Sequence, residues 1–269
     1  KWEEDKVYVD ALYQGYLDAC RTFKWEKDGK DNKEYIREIF EEKEIVGDMK
    51  NYLRADKLES FDEIHKKICV NLIEKCKERT NMTYGQAQKI INMAFKYLYC
   101  CKHDSAMEER FKACHMPLDS FSLEWFKRKF KEKNFSNLDS YSENNKELPE
   151  NLFTKKGEKK LKAESIGSWS SMQTWEEDCK KQEYPYEFYA HVIKQYCKEN
   201  SITPLQLDFI VWSKMQKIMA AESFIKTFKD DDEENKEVIN SEELEPYDIL
   251  NLKTTLENRL SEIRPLICK

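Results

Sequence analysis

The sequence predicts an all-α fold, and three observations carry that prediction. Apolar residues recur at steps of three and four; Gly and Pro number only six each in 269 residues; and no alternating strand pattern exceeds four residues. Sheets and barrels need turn residues every few positions, so scarce Gly and Pro speak against them. Aromatic residues make up 13% and charged residues 36%. Disordered chains lack such aromatics, whereas amphipathic helices with long charged faces carry both.

Taken in order, Tyr8, Leu12, Tyr16, Ala19 and Phe23 share a face only at 3.6 residues per turn. Asn32 is expected to cap a second helix with Ile36, Ile39 and Phe40 inward. Gly47 interrupts it, and Met49, Tyr52 and Leu53 continue it. Ser60-Phe61-Asp62-Glu63 reads as a capping box, opening a helix striped by Phe61, Ile64, Ile68, Leu72 and Cys76. Thr83-Tyr84-Gly85-Gln86 is a second box, starting a helix to about Cys100 whose apolar face is Ala87, Ile90, Ile91, Ala94 and Leu98. Pro117 and Asp119 start the next, with Leu123, Phe126 and Phe130 inward.

From Asn134 to about Ser168 the periodicity collapses into a polar stretch holding Pro149, Gly157 and Gly167, which reads as a long loop or insertion. A helix is expected around Trp169–Lys181. Pro185 suits the first turn of another, striped by Tyr186, Tyr189, Ile193 and Cys197. Thr203-Pro204-Leu205-Gln206 combines a cap, a first-turn proline and a box partner. The segment it opens, through Phe209, Ile210, Val211, Trp212, Met215 and Ile218, is apolar on nearly all sides and is expected to be the central buried helix. Asp230–Glu234 should end it, and a last stripe of Ile249, Leu252, Leu256, Leu260 and Ile263 stops at Pro265. The organisation is thus an N-terminal helical half (1–133), a polar loop (134–168) and a C-terminal helical half (169–269), with one shared core and about eight to ten helices.

Net charge is −6, distributed unevenly: residues 127–162 carry eleven Lys/Arg against six acids, and 230–247 carry nine acids against Lys236 alone. The basic stretch can meet phosphate, an acidic partner or the acidic stretch itself. Nine cysteines, odd in number and irregularly spaced, fall mostly at apolar helical positions, where a reduced thiol acts as a small hydrophobe. No apolar run approaches the ~20 residues that span a bilayer, and the first residues, Lys1-Trp2-Glu3-Glu4-Asp5, lack the apolar core of a signal peptide. A cytoplasmic protein without membrane contact is expected.

The segment 83–125 holds the densest chemistry. Gln86, Lys89, Met93, Lys96 and Cys100 share one face of the helix 84–100, opposite its apolar stripe, and Gln88, Asn92 and Tyr99 share an adjoining one. Amides and ammonium groups so spaced can bridge phosphates, so Gln86, Lys89, Asn92 and Lys96 are the candidate ligand-binding residues, with Lys127–Lys133 beside them. Cys100, Cys101, His103, Cys114 and His115 are the only metal-like grouping. Their spacing lacks the two short-spaced pairs a zinc site draws on, so no metal is expected, and no glycine-rich phosphate loop implies a cofactor. Arg110 and His115 fit the loose R-x4-6-H pattern of HEPN ribonucleases, in which histidine moves protons and arginine stabilises the phosphorane. Asp119 joins Arg110 and His115 as a catalytic candidate, as a helper to Lys89 acting as an amine nucleophile. His65 reads as a packed core histidine and His191 as a boundary residue. Asp208, within an apolar segment, must find a donor or shift its pKa upward.

Gly85-x-Ala87-Gln88-Lys89-x-x-Asn92-x-x-x-Lys96-Tyr97-Leu98, then Cys114-His115-x-Pro117-Leu118-Asp119, and later Thr203-Pro204-Leu205-x-Leu207-Asp208-Phe209-x-x-Trp212, resemble a pattern in uncharacterised bacterial proteins, some carried by prophages and other mobile elements. The resemblance implies a bacterial or mobile-element origin and, by residue matching, a site at Lys89, Asn92, Lys96, His115 and Asp119. It implies no chemistry. The function expected is a helical interaction protein that binds nucleic acid or a protein partner through 84–133. The alternative is a metal-free HEPN-like ribonuclease using Arg110 and His115.

Overall fold

The computed structural model describes residues 2–26, 32–54, 60–101, 107–135, 150–154 and 159–234. Among these residues there are ten α-helices and no β-strand: α1 (Trp2–Ala19), α2 (Asn32–Glu41), α3 (Lys43–Arg54), α4 (Phe61–Cys76), α5 (Tyr84–Cys101), α6 (Glu108–Lys112), α7 (Ser120–Phe130), α8 (Trp175–Lys181), α9 (Tyr186–Glu199) and α10 (Pro204–Glu234). The expected all-α class is what forms.

Local chemistry starts several of these helices as expected. Thr83 Oγ1 accepts from the Gln86 amide at 3.1 Å while Gln86 Oε1 accepts from the Thr83 amide at 3.0 Å, so each side chain satisfies a backbone donor the helix leaves open. Thr203 and Gln206 do the same at 3.2 and 3.0 Å. Ser60 stands at the start of α4 without a side-chain capping bond, so the box read there does not close. Gly47 does not interrupt a helix; it lies inside α3, and the break falls at Glu42. The Trp169–Lys181 stretch divides into a 3₁₀ turn (Trp169–Ser171) and α8.

The centre of the molecule is α5, not α10. Every residue from Tyr84 to Phe95 is buried. α1 lies along α5 closely enough that a Cβ on Gly15 would stand 2.4 Å from the Ile90 carbonyl oxygen. α4 packs on α5 as well, and the turn at 169–172 crosses its first residues: the Gly85 amide donates to Met172 O at 2.8 Å and Thr83 Oγ1 to Ser170 O at 2.6 Å. The expectation of a central α10 is therefore corrected. α10 buries Leu205, Leu207, Val211, Met215 and Ile218, but leaves Phe209, Ile210 and Trp212 about two-fifths exposed (40%, 45% and 40%). Its helical backbone also runs through the acidic residues that were expected to end it. The stripe from Ile249 to Ile263 lies outside the described residues.

The described parts of 134–168 are irregular, as the lost periodicity predicts, yet they pack into the core. Phe135, Leu152, Phe153 and Leu161 are buried. Single antiparallel bridges pair Asn134 with Lys160 and Phe153 with Leu161, and Tyr184 donates its hydroxyl to Leu152 O at 2.5 Å. These contacts join the polar stretch to α9 through the stacked rings of Tyr184 and Phe188, 4.6 Å apart.

Candidate functional site

α5 presents its amides and ammonium groups to the protein, not to water. Gln86 and Lys89 are each 5% exposed and Asn92 is 0% exposed, so the wet face read opposite the apolar stripe is corrected. A polar group leaves water at little cost only when a partner waits inside, and each of these has one. Gln86 Nε2 donates to Thr22 O at 2.8 Å, fastening the start of α5 to the 3₁₀ turn Cys20–Thr22 that follows α1. Lys89 Nζ meets Asp119 Oδ2 at 2.7 Å. Lys96 Nζ meets Asp208 Oδ2 at 2.5 Å and lies 4.5 Å from the Phe209 ring centroid. The donor that Asp208 needed is thus Lys96. Burial still raises its carboxyl above the ordinary value, with the Lys96 charge opposing.

Asp119 has two duties. Its Oδ1 accepts from the amides of Phe121 at 3.0 Å and Ser122 at 2.9 Å, capping α7, while its Oδ2 takes Lys89. The Lys89–Asp119 pair therefore joins the middle of α5 to the start of α7.

A second buried chain starts from Gln88 and crosses to the surface. Gln88 Nε2 donates to Leu118 O at 2.9 Å, Asn92 Nδ2 donates to Gln88 Oε1 and to the Tyr186 hydroxyl, both at 3.0 Å, and Tyr186 lies 2.7 Å from His115 Nδ1. His115 Nε2 is 2.5 Å from Asp62 Oδ1, which also receives Lys194 Nζ at 2.6 Å. With Nε2–H donated to the carboxylate, Nδ1 accepts the Tyr186 proton, so the directions close on a neutral imidazole. Burial holds His115 below the usual histidine range, against the pull of Asp62. Burial, reinforced by His115, holds His65 further below it. Burial alone would raise Asp62, but His115 and Lys194 outweigh it and hold the carboxyl well below its ordinary value. Asp62 and Lys194, which sequence reasoning passed over, are the ends of this chain that reach solvent, with side chains 60% and 32% exposed.

Arg110 and His115 face different partners. The Arg110 guanidinium carbon lies 5.7 Å from the Tyr52 ring centroid, while both ring nitrogens of His115 are engaged and the residue is 3% exposed. As it stands, this imidazole does not reach a phosphodiester in solvent. His65 is buried, as expected. His103 lies outside the described residues; among them, no three of His, Cys, Asp and Glu converge to hold a metal ion. Among them also, no helix is long and apolar enough to cross a membrane.

What remains at the surface of the region is basic. Lys127, Arg128, Lys129, Lys131 and Lys133 occupy the second half of α7 and the turn after it. The bridge Asn134–Lys160 and the 2.7 Å bond from the Phe135 amide to Lys159 O bring Lys159, Lys160 and Lys162 alongside. These two stretches, 127–135 and 159–162, hold eight cations and one acid, Glu132. Arg128 is held within the protein, by Glu124 at 2.8 Å and by both oxygens of Glu222 at 2.8 and 2.9 Å. Lys129 and Lys133 lie 5.1 and 5.5 Å from the ring centroids of Tyr196 and Phe130.

Fold and site together define an all-α protein with a polar interior and a basic outer face on α7. Comparison with protein-family models, with curated proteins and with solved structures finds no match to this chain.

Proposed function

We propose that this chain is an interaction protein that binds nucleic acid through the basic face of α7 and the 159–162 stretch. The single observation that supports the reading is the antiparallel bridge between Asn134 and Lys160. It sets Lys159, Lys160 and Lys162 beside the five cations of 127–133, and a cationic face beside aromatic rings attracts a phosphate backbone. The negative net charge does not oppose this, because much of it lies in one acidic stretch, 230–247. A cytoplasmic setting of bacterial or mobile-element origin belongs to the same proposal; the first is supported by the eight described cysteines, which form no disulfide among themselves, the second by the resemblance of the 85–119 and 203–212 motifs.

Binding of labelled RNA and DNA oligonucleotides, titrated over salt concentration, tests the reading. Affinity should fall as salt rises, with a log–log slope of about −0.7 for each single-strand phosphate contacted. Lys131→Glu with Lys133→Glu should weaken binding by at least about tenfold and flatten that slope. Binding indifferent to salt would exclude phosphate contact. The ribonuclease reading separates cleanly: His115→Ala abolishes RNA cleavage if the imidazole works on substrate, whereas a binding protein shows no cleavage to lose.

A further inference from the structure

We infer that a groove between α7 and the 163–169 segment is the seat for one nucleotide of a single strand, with Trp169 as its stacking platform and Lys127 as its phosphate contact. The inference rests on the nucleic-acid reading above and says which form of nucleic acid the face takes and where.

The groove has a volume of about 300 Å³ and is lined by Ser120, Leu123 and Lys127 from α7 and by Ile166, Ser168 and Trp169 from the opposing segment. That is the low end of the range for small-molecule sites, suited to one base and sugar and too small for a duplex. Its position follows from the basic face: Lys127 heads the α7 row, Lys131 stands one turn further on, and Lys162 directly precedes the opposing wall.

The groove differs from the interior in what its side chains are doing. Gln86, Lys89, His115 and Asp119, and the amide nitrogen of Asn92, are all bonded within the protein. Among the described residues the Lys127 ammonium, the Ser120 hydroxyl and the Trp169 indole have no such engagement. Trp169 is held at its backbone, where its carbonyl lies against Gly85, and its half-buried side chain packs partly against the hydrophobic core. Glu124 also borders the groove; Arg128 reaches it at 2.8 Å but shares its one charge with Glu222, and Lys127 is the one cation in the lining. A flat half-buried indole beside an unpaired ammonium suits a base followed by its phosphate, and stacking of that kind tolerates any base.

The test measures anisotropy of a labelled twelve-nucleotide oligo-U strand and of a labelled duplex, with wild type, Trp169→Ala, Trp169→Phe, Lys127→Glu and the Lys131→Glu/Lys133→Glu double variant, each checked for thermal stability. Trp169→Ala and Lys127→Glu should weaken strand binding about tenfold while Trp169→Phe stays within about threefold of wild type and the duplex changes little with Trp169→Ala. Uridine monophosphate alone at about 1 mM should not displace the strand, since neighbouring phosphates supply much of the attraction. Full displacement by it would mean a free-nucleotide site and overturn the strand assignment. If Trp169→Ala does not fold, Lys127→Glu decides. Strand binding unchanged by Lys127→Glu, or by a folded Trp169→Ala, overturns the groove, and loss of binding in the double variant alone keeps the basic face. If wild type binds no oligonucleotide, the basic-face reading and the groove fall together.

Discussion

One added methyl group, placed at two helical glycines, asks whether the polar face of α5 is packed as tightly as its burial implies. In open helix interiors Gly→Ala stabilises by about 1 kcal/mol, because alanine has less backbone freedom to lose. Gly47 in α3 has nothing within 4 Å of where a Cβ would sit, so Gly47→Ala should raise the urea midpoint and, through it, the unfolding free energy by that amount. At Gly85 the same methyl would stand 1.8 Å from the Trp169 carbonyl oxygen and 3.1 Å from Met172 Cβ. Gly85→Ala should therefore lower the midpoint, with the unfolding free energy falling by roughly 1–3 kcal/mol from overpacking, and loosen the turn that carries Trp169. Opposite signs in one denaturation series check both. The same face shows what the sequence leaves unsaid. Lys89 and Lys96 have the spacing of a solvated helix face, and that spacing is identical whether water or a carboxylate receives the ammonium. Their partners, Asp119 and Asp208, are 30 and 112 residues away along the chain, and no local pattern announces them. Asp208 alone gave a hint, because a carboxylate in an apolar run requires a donor.

At the scale of elements, helix positions were legible and helix roles were not. Capping boxes at Thr83 and Thr203 are local chemistry and stand where they were read. Which helix lies at the centre is decided by what covers each face, and α10, the most apolar segment, proved half-exposed whereas the more polar α5 proved buried. Burying α5 demanded internal counter-charges, and these tie it to α7 and α10. The Lys96–Asp208 pair is the tie to α10, with side chains 13% and 3% exposed. Truncating one partner of a buried pair leaves a charge uncompensated and costs about 3–5 kcal/mol, while replacing both by apolar groups of similar volume is often neutral. Asp208→Ala should thus destabilise by about that much, and Lys96→Met with Asp208→Leu should recover most of the loss. A double-mutant cycle in urea reads the coupling directly. Additive losses would mean that α10 is held by its apolar contacts alone.

Over the whole molecule, the buried titratable groups should make stability depend on pH in two opposing ways. His65 and His115 have folded pKa values below the ordinary 6.5, because burial disfavours the imidazolium. As pH falls through 6.5 the unfolded chain takes up protons that the folded one refuses, so stability falls with pH from there down to the folded values. Asp178 acts in reverse. It is 0% exposed, accepts from the Gln173 amide at 2.6 Å, and burial pushes its carboxyl up to about 6 from 3.8. Between pH 6 and 3.8 the folded chain binds the proton first, so stability from this group rises as pH falls. Asp208, also raised by burial, adds to the same side. Wild-type urea midpoints between pH 7 and 5 should therefore change less than either set of groups alone would dictate. His65→Gln removes part of the histidine contribution and should turn the profile toward higher stability at pH 5. Asp178→Asn, which keeps an oxygen for the Gln173 amide, should turn it toward lower stability there. If both variants trace the wild-type profile, these groups do not titrate differently in the folded and unfolded chain, and the interior is more hydrated than its packing implies.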